Sequence, residues 1–314
     1  MANLRIVFFG TPSFAVPTLT ALLASPHQVV GVVTQPDRPR GRGQRISDAP
    51  VKALAIQRGL PILQPERLLR DPLAERLAEL RADLGVVAAY GKILPQWLLD
   101  LPHLGLVNVH ASLLPKYRGA APVHRAIIAG ETETGVTIMR VVKELDAGPM
   151  LARALRPIAV DDTSDVVERD LAALGAQLLV GILDDLAAGR LTETPQDESQ
   201  ATYAPRLNKP EGLVDFERDA LDVHNRIRGL RPWPNAYTFL NGVRLVLHRA
   251  QLADHDPRYD AAGTIVRADG SGITVATGDR RAVNLLQIQP EGRRVMSASE
   301  FVAGHARLTG QRLG

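Results

Sequence analysis

Short apolar runs alternate with amphipathic stretches through the first half of the chain, and this alternation predicts most of its elements. Arg5–Phe9, Val29–Thr34, Leu84–Ala89 and Leu106–Val109 are strand-length apolar runs that read as buried strands. Between them Pro12–Ala24, Val51–Arg58, Pro72–Arg81 and Pro122–Ala129 read as helices. Strands alternating with helices predict an α/β fold on a parallel, doubly wound sheet. Two β-rich runs follow, Gly135–Val142 and Pro149–Ala159, on either side of a turn at Asp146-Ala147-Gly148. A long helix over Thr163–Ala187 comes next, with Thr163 or Ser164 as N-cap and Gly189 as its stop.

The pattern changes at residues 190–208, where Thr192, Thr194, Pro195, Gln196, Ser199, Gln200 and Pro205 make a polar, helix-poor stretch. Its composition reads as a linker. The predicted organisation is therefore a domain over 1–189, a linker over 190–208 and a second domain over 209–314. In the second domain, Ala220–Gly229 reads as a helix ended by Arg231-Pro232-Trp233-Pro234. Five short runs follow: Ala236–Leu240, Val243–Gln251, Gly263–Arg267, Ile273–Thr277 and Ala282–Ile288. Short strands with Gly-marked turns predict a small OB-fold-like β-barrel.

Composition narrows the function classes. With 314 residues, 45% hydrophobic and 23% charged, the chain reads as an ordinary globular protein large enough for two domains. Its apolar runs are too short for a membrane span, and Met1-Ala2-Asn3-Leu4-Arg5 lacks signal-peptide features, so a cytoplasmic protein is expected. The absence of Cys excludes disulfides, a thiolate nucleophile and Cys-based zinc sites. Residues 1–208 are balanced in charge, and the net +3 falls entirely on 209–314. That mild excess is compatible with nucleic acid and does not demonstrate it.

Asn108 and His110 stand two residues apart at the end of a strand-like run, which puts both on one face. With Asp146 they would supply the parts for moving an acyl group to an amine. The carboxylate and imidazole handle a proton, and the amide and imidazole stabilise an oxyanion. On residue types alone, His110 reads more readily as a satisfied core histidine and Asp146 as a turn carboxylate, since no rule pairs positions 36 apart in sequence. The turn over Phe8–Ala15 has one Gly and no Walker lysine, which rejects dinucleotide and ATP fingerprints. Residues 34–50 set Arg38, Arg40, Arg42 and Arg45 among Pro and Gly, so the segment is a long basic loop rather than a helix. Such a loop suits a phosphate backbone; a solvated surface loop is the other reading.

Seven segments carry a resemblance: FFGTPSFA at 8–15, QPDRPRGRG at 35–43, LGVVAAYGKILP at 84–95, NVHASLLPKYRGAAPVHRAIIAGE at 108–131, TGVTIM at 134–139, ELDAGPM at 144–150 and LRPWPNA at 230–236. In that order they resemble the methionyl-tRNA formyltransferases over nearly the whole chain. The SLLPKYRGAAP block resembles the wider formyl-folate transferase family, while the Arg loop and the RPWP-bearing C-terminal part narrow the resemblance to the tRNA enzymes. The resemblance implies a Rossmann-like domain holding 10-formyltetrahydrofolate as co-substrate and an OB-fold-like domain that helps hold initiator methionyl-tRNA for translation initiation. It implies Asn108, His110 and Asp146 as catalytic residues. It places the folate at Ser112, Leu113, Leu114 and Pro115, with a pocket wall along Leu84–Ile93 that includes Val87, Tyr90, Gly91 and Ile93. The tRNA loop falls on Arg38, Arg40, Arg42 at its tip, and Arg45. No metal and no membrane partner are expected, and the chain is expected to be a monomer. Two other readings stay open: a formyl-folate transferase acting on a small amine such as a sugar nucleotide or glycinamide ribonucleotide, and a non-catalytic RNA-binding relative.

Overall fold

A computed structural model describes residues 3–40, 45–254, 261–305 and 307–314. The chain divides into two units. One comprises Met1–Pro122, Thr134–Arg156 and Glu168–Ala204; the other comprises Val123–Glu133, Pro157–Val167 and Pro205–Gly314.

In the first unit β1 (Arg5–Gly10) passes through a short 3-10 turn into α1 (Val16–Ala24) and returns as β2 (Gln28–Val33). The basic loop holds a small antiparallel hairpin, β3 (Pro39–Arg40) with β4 (Arg45–Ile46), before α2 (Pro50–Gln57). Next come β5 (Ile62–Leu63), α3 (Arg70–Glu79), β6 (Leu84–Ala88), α4 (Gln96–Leu99), β7 (Leu106–His110) and the two-residue β8 (Arg118–Gly119). After α5 (Pro122–Ile128), which beyond Pro122 belongs to the second unit, β9 (Glu133–Arg140) and β10 (Met150–Pro157) lead into α6 (Ser164–Ala187), of the first unit from Glu168 on, and then β11 (Tyr203–Ala204).

The main sheet has the order β10-β9-β7-β6-β1-β2-β5. β1 runs parallel to β2 and β6, and β6 parallel to β7, but β9 runs antiparallel to β7. The sheet is thus mixed rather than wholly parallel, because a run of apolar residues fixes burial and not strand direction. Ile6, Phe8, Val32, Leu84 and Val86 are fully buried, each stabilising the fold by roughly 1.5–3 kcal/mol. Val107 and Val109 on β7 are also buried, and α6 passes so close that a Cβ at Gly175 would stand 2.6 Å from Val109 Cγ1. That leaves Asn108 and His110 on the opposite face of the strand. α6 begins at Ser164, so Thr163 is the N-cap residue, and Gly189 ends the helix with φ +66°.

The stretch 190–208, polar enough to read as a linker, pairs its backbone with the first unit. Met150 and Thr194 exchange main-chain hydrogen bonds of 2.8 and 2.9 Å, and β11 lies parallel to β8.

The second unit contains α7 (Ala220–Gly229), β12 (Ala236–Leu240), β13 (Val243–Ala253), β14 (Ile265–Asp269), β15 (Gly272–Ala276), β16 (Ala282–Pro290), β17 (Met296–Ser297) and α8 (Ala298–Ala303). Its strands form an antiparallel sheet in the order β12-β13-β16-β15-β14, with β17 added to β16. The pairing of β13 with β16 slips on both sides of Arg249, the kind of bulge that bends a long strand into a barrel wall. The two edge strands are joined by the last residues of the chain. Leu313 bridges Leu240, Arg312 bridges Thr264, and the Gly314 N–H donates to the Phe239 carbonyl at 3.1 Å. Residues 123–133 and 157–167 are tied into the same unit, so its limits differ from a simple cut at 209. Arg125 pairs with Glu211, Ser164 Oγ donates to the Gly229 carbonyl at 2.7 Å, and buried Arg228 donates to the carbonyls of Ala159 and Asp162. Among the described residues no helix is long and apolar enough to cross a membrane.

Candidate active site

β7 carries Asn108 and His110 to the C-terminal end of the central strands, the usual place for a ligand crevice in an open α/β sheet. Asn108 is partly exposed, whereas His110 is 5% exposed. Asp146 comes from the turn between β9 and β10 and has φ +49°, a left-handed conformation unfavourable for a residue with a side chain. That conformation brings its carboxylate to both β7 side chains. Asn108 Nδ2 is 3.5 Å from Asp146 Oδ1, and His110 Nδ1 is 3.7 Å from Oδ2. The Gly119 main-chain N–H donates to Oδ2 at 2.9 Å. The amide, imidazole and carboxylate named in the sequence are therefore one cluster.

The imidazole is oriented by its other nitrogen, since Nε2 lies 2.9 Å from the Tyr117 carbonyl oxygen. A carbonyl only accepts, so Nε2 carries a hydrogen, and Nδ1 is the nitrogen turned toward Asp146. A proton arriving between Nδ1 and Oδ2 would be stabilised by both groups. Asn108 offers a second amide N–H for charge developing on an oxygen nearby.

The loop after β7 is held by local bonds that explain its shape. Ser112 Oγ donates to the Lys116 carbonyl at 2.6 Å, and Thr137 Oγ1 donates to the Ser112 carbonyl at 2.7 Å while accepting the Leu114 N–H at 3.1 Å. Ser112 and Leu114 are fully buried, leaving Leu113 and Pro115 as the partly exposed members of that stretch. Along the other wall Val87 and Tyr90 pack into the core, and the Tyr90 ring meets Phe9 edge-on at 5.8 Å. Burial pushes the Tyr90 hydroxyl up to about 12. Side chains of Ser112, Leu114, Val87 and Tyr90 therefore shape the wall from behind. Gly91 and Ile93 have open surface, and Ile93 is 81% exposed. Gly91 has φ +80°, and a Cβ there would stand 2.7 Å from Gln35 Nε2, which donates to the Tyr90 carbonyl at 2.8 Å.

The root of the basic loop is fastened to this wall. Gln64 Nε2 donates to the Gln35 carbonyl at 3.0 Å and to Asp37 Oδ1 at 3.2 Å. Lys52 Nζ pairs with both Asp37 and Asp48, so one ammonium grips the two ends of the loop. Arg38 is exposed, and Arg40 and Arg45 lie in the β3–β4 hairpin. Arg42 lies outside the described residues. Burial and the nearby Arg38 charge hold the Lys92 ammonium below its ordinary range. Among the described residues, no group of three or more His, Cys, Asp or Glu is arranged to hold a metal ion.

Sequence reasoning missed the Tyr117 carbonyl, the Gly119 N–H and Gln196, whose side chain donates to the Asp146 carbonyl at 2.8 Å. The first two are main-chain groups that residue identity does not advertise. Gln196 was obscured by the linker-like composition around it.

Comparison with known proteins shows the family to which the chain belongs. Residues 4–183 match the family described as formyl transferase, and residues 206–306 match its C-terminal domain. The chain is 51% identical to the methionyl-tRNA formyltransferase of Methylococcus capsulatus, over 99% of this chain and 100% of that protein. It is 46% identical to that of Geobacter sulfurreducens, over 100% and 98%. Among solved structures, an N-formyltransferase from Helicobacter canadensis, in complex with folinic acid and dTDP-3-aminofucose, superposes with a TM-score of 0.69. It is 17% identical, over 90% of this chain and 98% of that one. HypX from Aquifex aeolicus, in complex with tetrahydrofolic acid, superposes with a TM-score of 0.64 at 17% identity, over 96% of this chain and 47% of that one. At such identities these two likenesses concern the fold.

Proposed function

The chain belongs to the methionyl-tRNA formyltransferases of the formyl transferase family, and we propose that Asn108, His110 and Asp146 are the residues that carry out its transfer. In this reading the formyl donor is 10-formyltetrahydrofolate and the acceptor is the α-amine of methionine esterified to initiator tRNA. The supporting observation is the convergence of the three side chains, with Asp146 Oδ1 3.5 Å from the Asn108 amide and Oδ2 3.7 Å from His110 Nδ1.

The amine nitrogen attacks the formyl carbon, forming a C–N bond and a tetrahedral oxyanion. Asp146 receives the proton the amine gives up, with His110 Nδ1 beside it to share that proton. Asn108 donates to the oxyanion, which lowers the barrier because this donor is already in place before charge develops, and His110 adds its stabilisation once the shared proton reaches Nδ1. The bond from the formyl carbon to N10 of the folate then breaks, and N10 takes the proton held by Asp146 and His110 as tetrahydrofolate leaves. Leu113, Pro115, Gly91 and Ile93 offer surface to the folate. Arg38, Arg40, Arg42 and Arg45 face the phosphates of the tRNA acceptor end, and the chain works as a monomer, which light scattering in solution checks.

The deciding experiment is formylation of initiator Met-tRNA with 10-formyltetrahydrofolate, with elongator Met-tRNA as control. Transfer only to a sugar nucleotide or glycinamide ribonucleotide would favour the small-amine reading, and RNA binding without transfer the non-catalytic one. Arg42→Ala, assayed across salt concentrations, tests the loop. The reading expects a lower rate and a shallower salt dependence, and an unchanged slope would remove the loop from it.

A further inference from the structure

The Gln196 side chain uses each of its bonding groups on the catalytic turn and the residue behind it. Nε2 donates to the carbonyls of Asp146 and Gly148, both at 2.8 Å, and Oε1 accepts from Arg118 Nε at 3.0 Å. Arg118 is 2% exposed, and its Nη1 and Nη2 donate to Glu198 at 2.9 and 2.7 Å. Its neighbour Gly119 sends its N–H to Asp146 Oδ2. The Arg118-Gly119 pair thus holds Asp146 twice, once at the carboxylate directly and once at the main chain through Gln196.

The second hold answers a specific need. Asp146 sits at φ +49°, which a residue with a Cβ keeps only when its surroundings over-determine it. Two main-chain carbonyls of that turn face the same way, so the group that fixes them must donate twice from one atom. Its other end must accept, because an arginine only donates. A primary amide satisfies both, and a carboxylate of the same shape satisfies only the second.

We infer that Gln196 is a positioning residue for formyl transfer: it fastens the Asp146 turn to buried Arg118, so that the Asp146 carboxylate stays beside Asn108 and His110. This rests on the proposed role of Asp146.

The test compares Gln196→Glu, which keeps the acceptor for Arg118 but turns an oxygen on the two carbonyls, with Gln196→Leu, which removes all three bonds without adding charge. Asp146→Asn is run in parallel, and steady-state formylation is combined with amide hydrogen exchange of Gly119. Both Gln196 variants are expected to lose about tenfold or more in kcat, with KM for either substrate within about twofold. The Gly119 amide is expected to exchange faster, because its acceptor has moved. A kcat within about threefold of wild type in whichever variant folds, a loss confined to KM, or unchanged Gly119 protection would overturn the inference. If Asp146→Asn keeps full turnover, the catalytic role of Asp146 fails instead, and the Gly119 exchange alone then decides whether Gln196 positions the turn.

Discussion

The Gly119 main-chain N–H reaches Asp146 Oδ2 at 2.9 Å, so a residue with no side chain sets the position of the carboxylate. Gly119 has φ +116°, and a Cβ there would stand 2.9 Å from the Ala204 carbonyl oxygen, on the β11 strand that pairs with β8. Gly119→Ala is therefore strained in its dihedral and crowded against backbone. It should destabilise the protein by about 1–3 kcal/mol, read by thermal unfolding. Turnover should fall further than stability accounts for, since the donor to Asp146 moves with the strand. A variant with wild-type melting and wild-type kcat would contradict both statements.

His110→Ala and Asp146→Asn should each lower kcat by about 10²–10⁴ while KM for Met-tRNA changes little, because these groups act on charge that exists only in the transition state. Steady-state kinetics with each substrate varied in turn separates the two parameters. Near-normal turnover in either variant would remove that residue from the mechanism.

The strands Arg5–Gly10, Gln28–Val33, Leu84–Ala88 and Leu106–His110 were legible because they are buried almost throughout, which demands unbroken apolar runs. Ile62–Leu63, Arg118–Gly119 and Tyr203–Ala204 were not, since a two-residue strand has no periodicity and is defined by main-chain pairing to a distant partner. The site divides in the same way. Two-residue spacing on a strand put Asn108 and His110 on one face from sequence alone. Asp146 joins them through Gly119, 27 residues away, and Gln196, 50 residues away, and no local spacing rule reaches that far.

Lys52 grips Asp37 and Asp48, the two ends of the basic loop. Lys52→Met removes that grip and the positive charge that offsets the two carboxylates. KM for Met-tRNA should rise roughly three- to tenfold as the loop loses its preset course and part of its positive field, with KM for the folate unchanged. An equal rise in both constants would instead mean damage to the wall that Gln35 and Gln64 hold together.

Two histidines of the second unit, His224 buried and His248 half-buried, predict its response to acid. His224 is held below its ordinary pKa by burial and by Arg228, against a smaller pull from Asp161. Burial and Arg231 lower His248, with the Gln289 hydrogen bond opposing. Each therefore takes up a proton more readily unfolded than folded, and the unfolded form binds more protons as pH falls below about 6.5. Stability should be level above that value and decline below it, toward the depressed folded values. Thermal unfolding between about pH 7.5 and 5 measures the decline. Replacing His224 with Gln should flatten part of it, and an unchanged slope would show that other groups set the acid limit.

The barrel's seam has a practical side. Residues 310–314 pair with both edge strands, β12 and β14, at once. A fusion partner or affinity tag placed after Gly314 would have to leave from within that ladder, and trimming these residues would uncover two strand edges together. Uncovered edges offer unpaired N–H and C=O groups to any neighbouring chain. Shortened versions of this protein should then be lost from solution by self-association before they lose their fold.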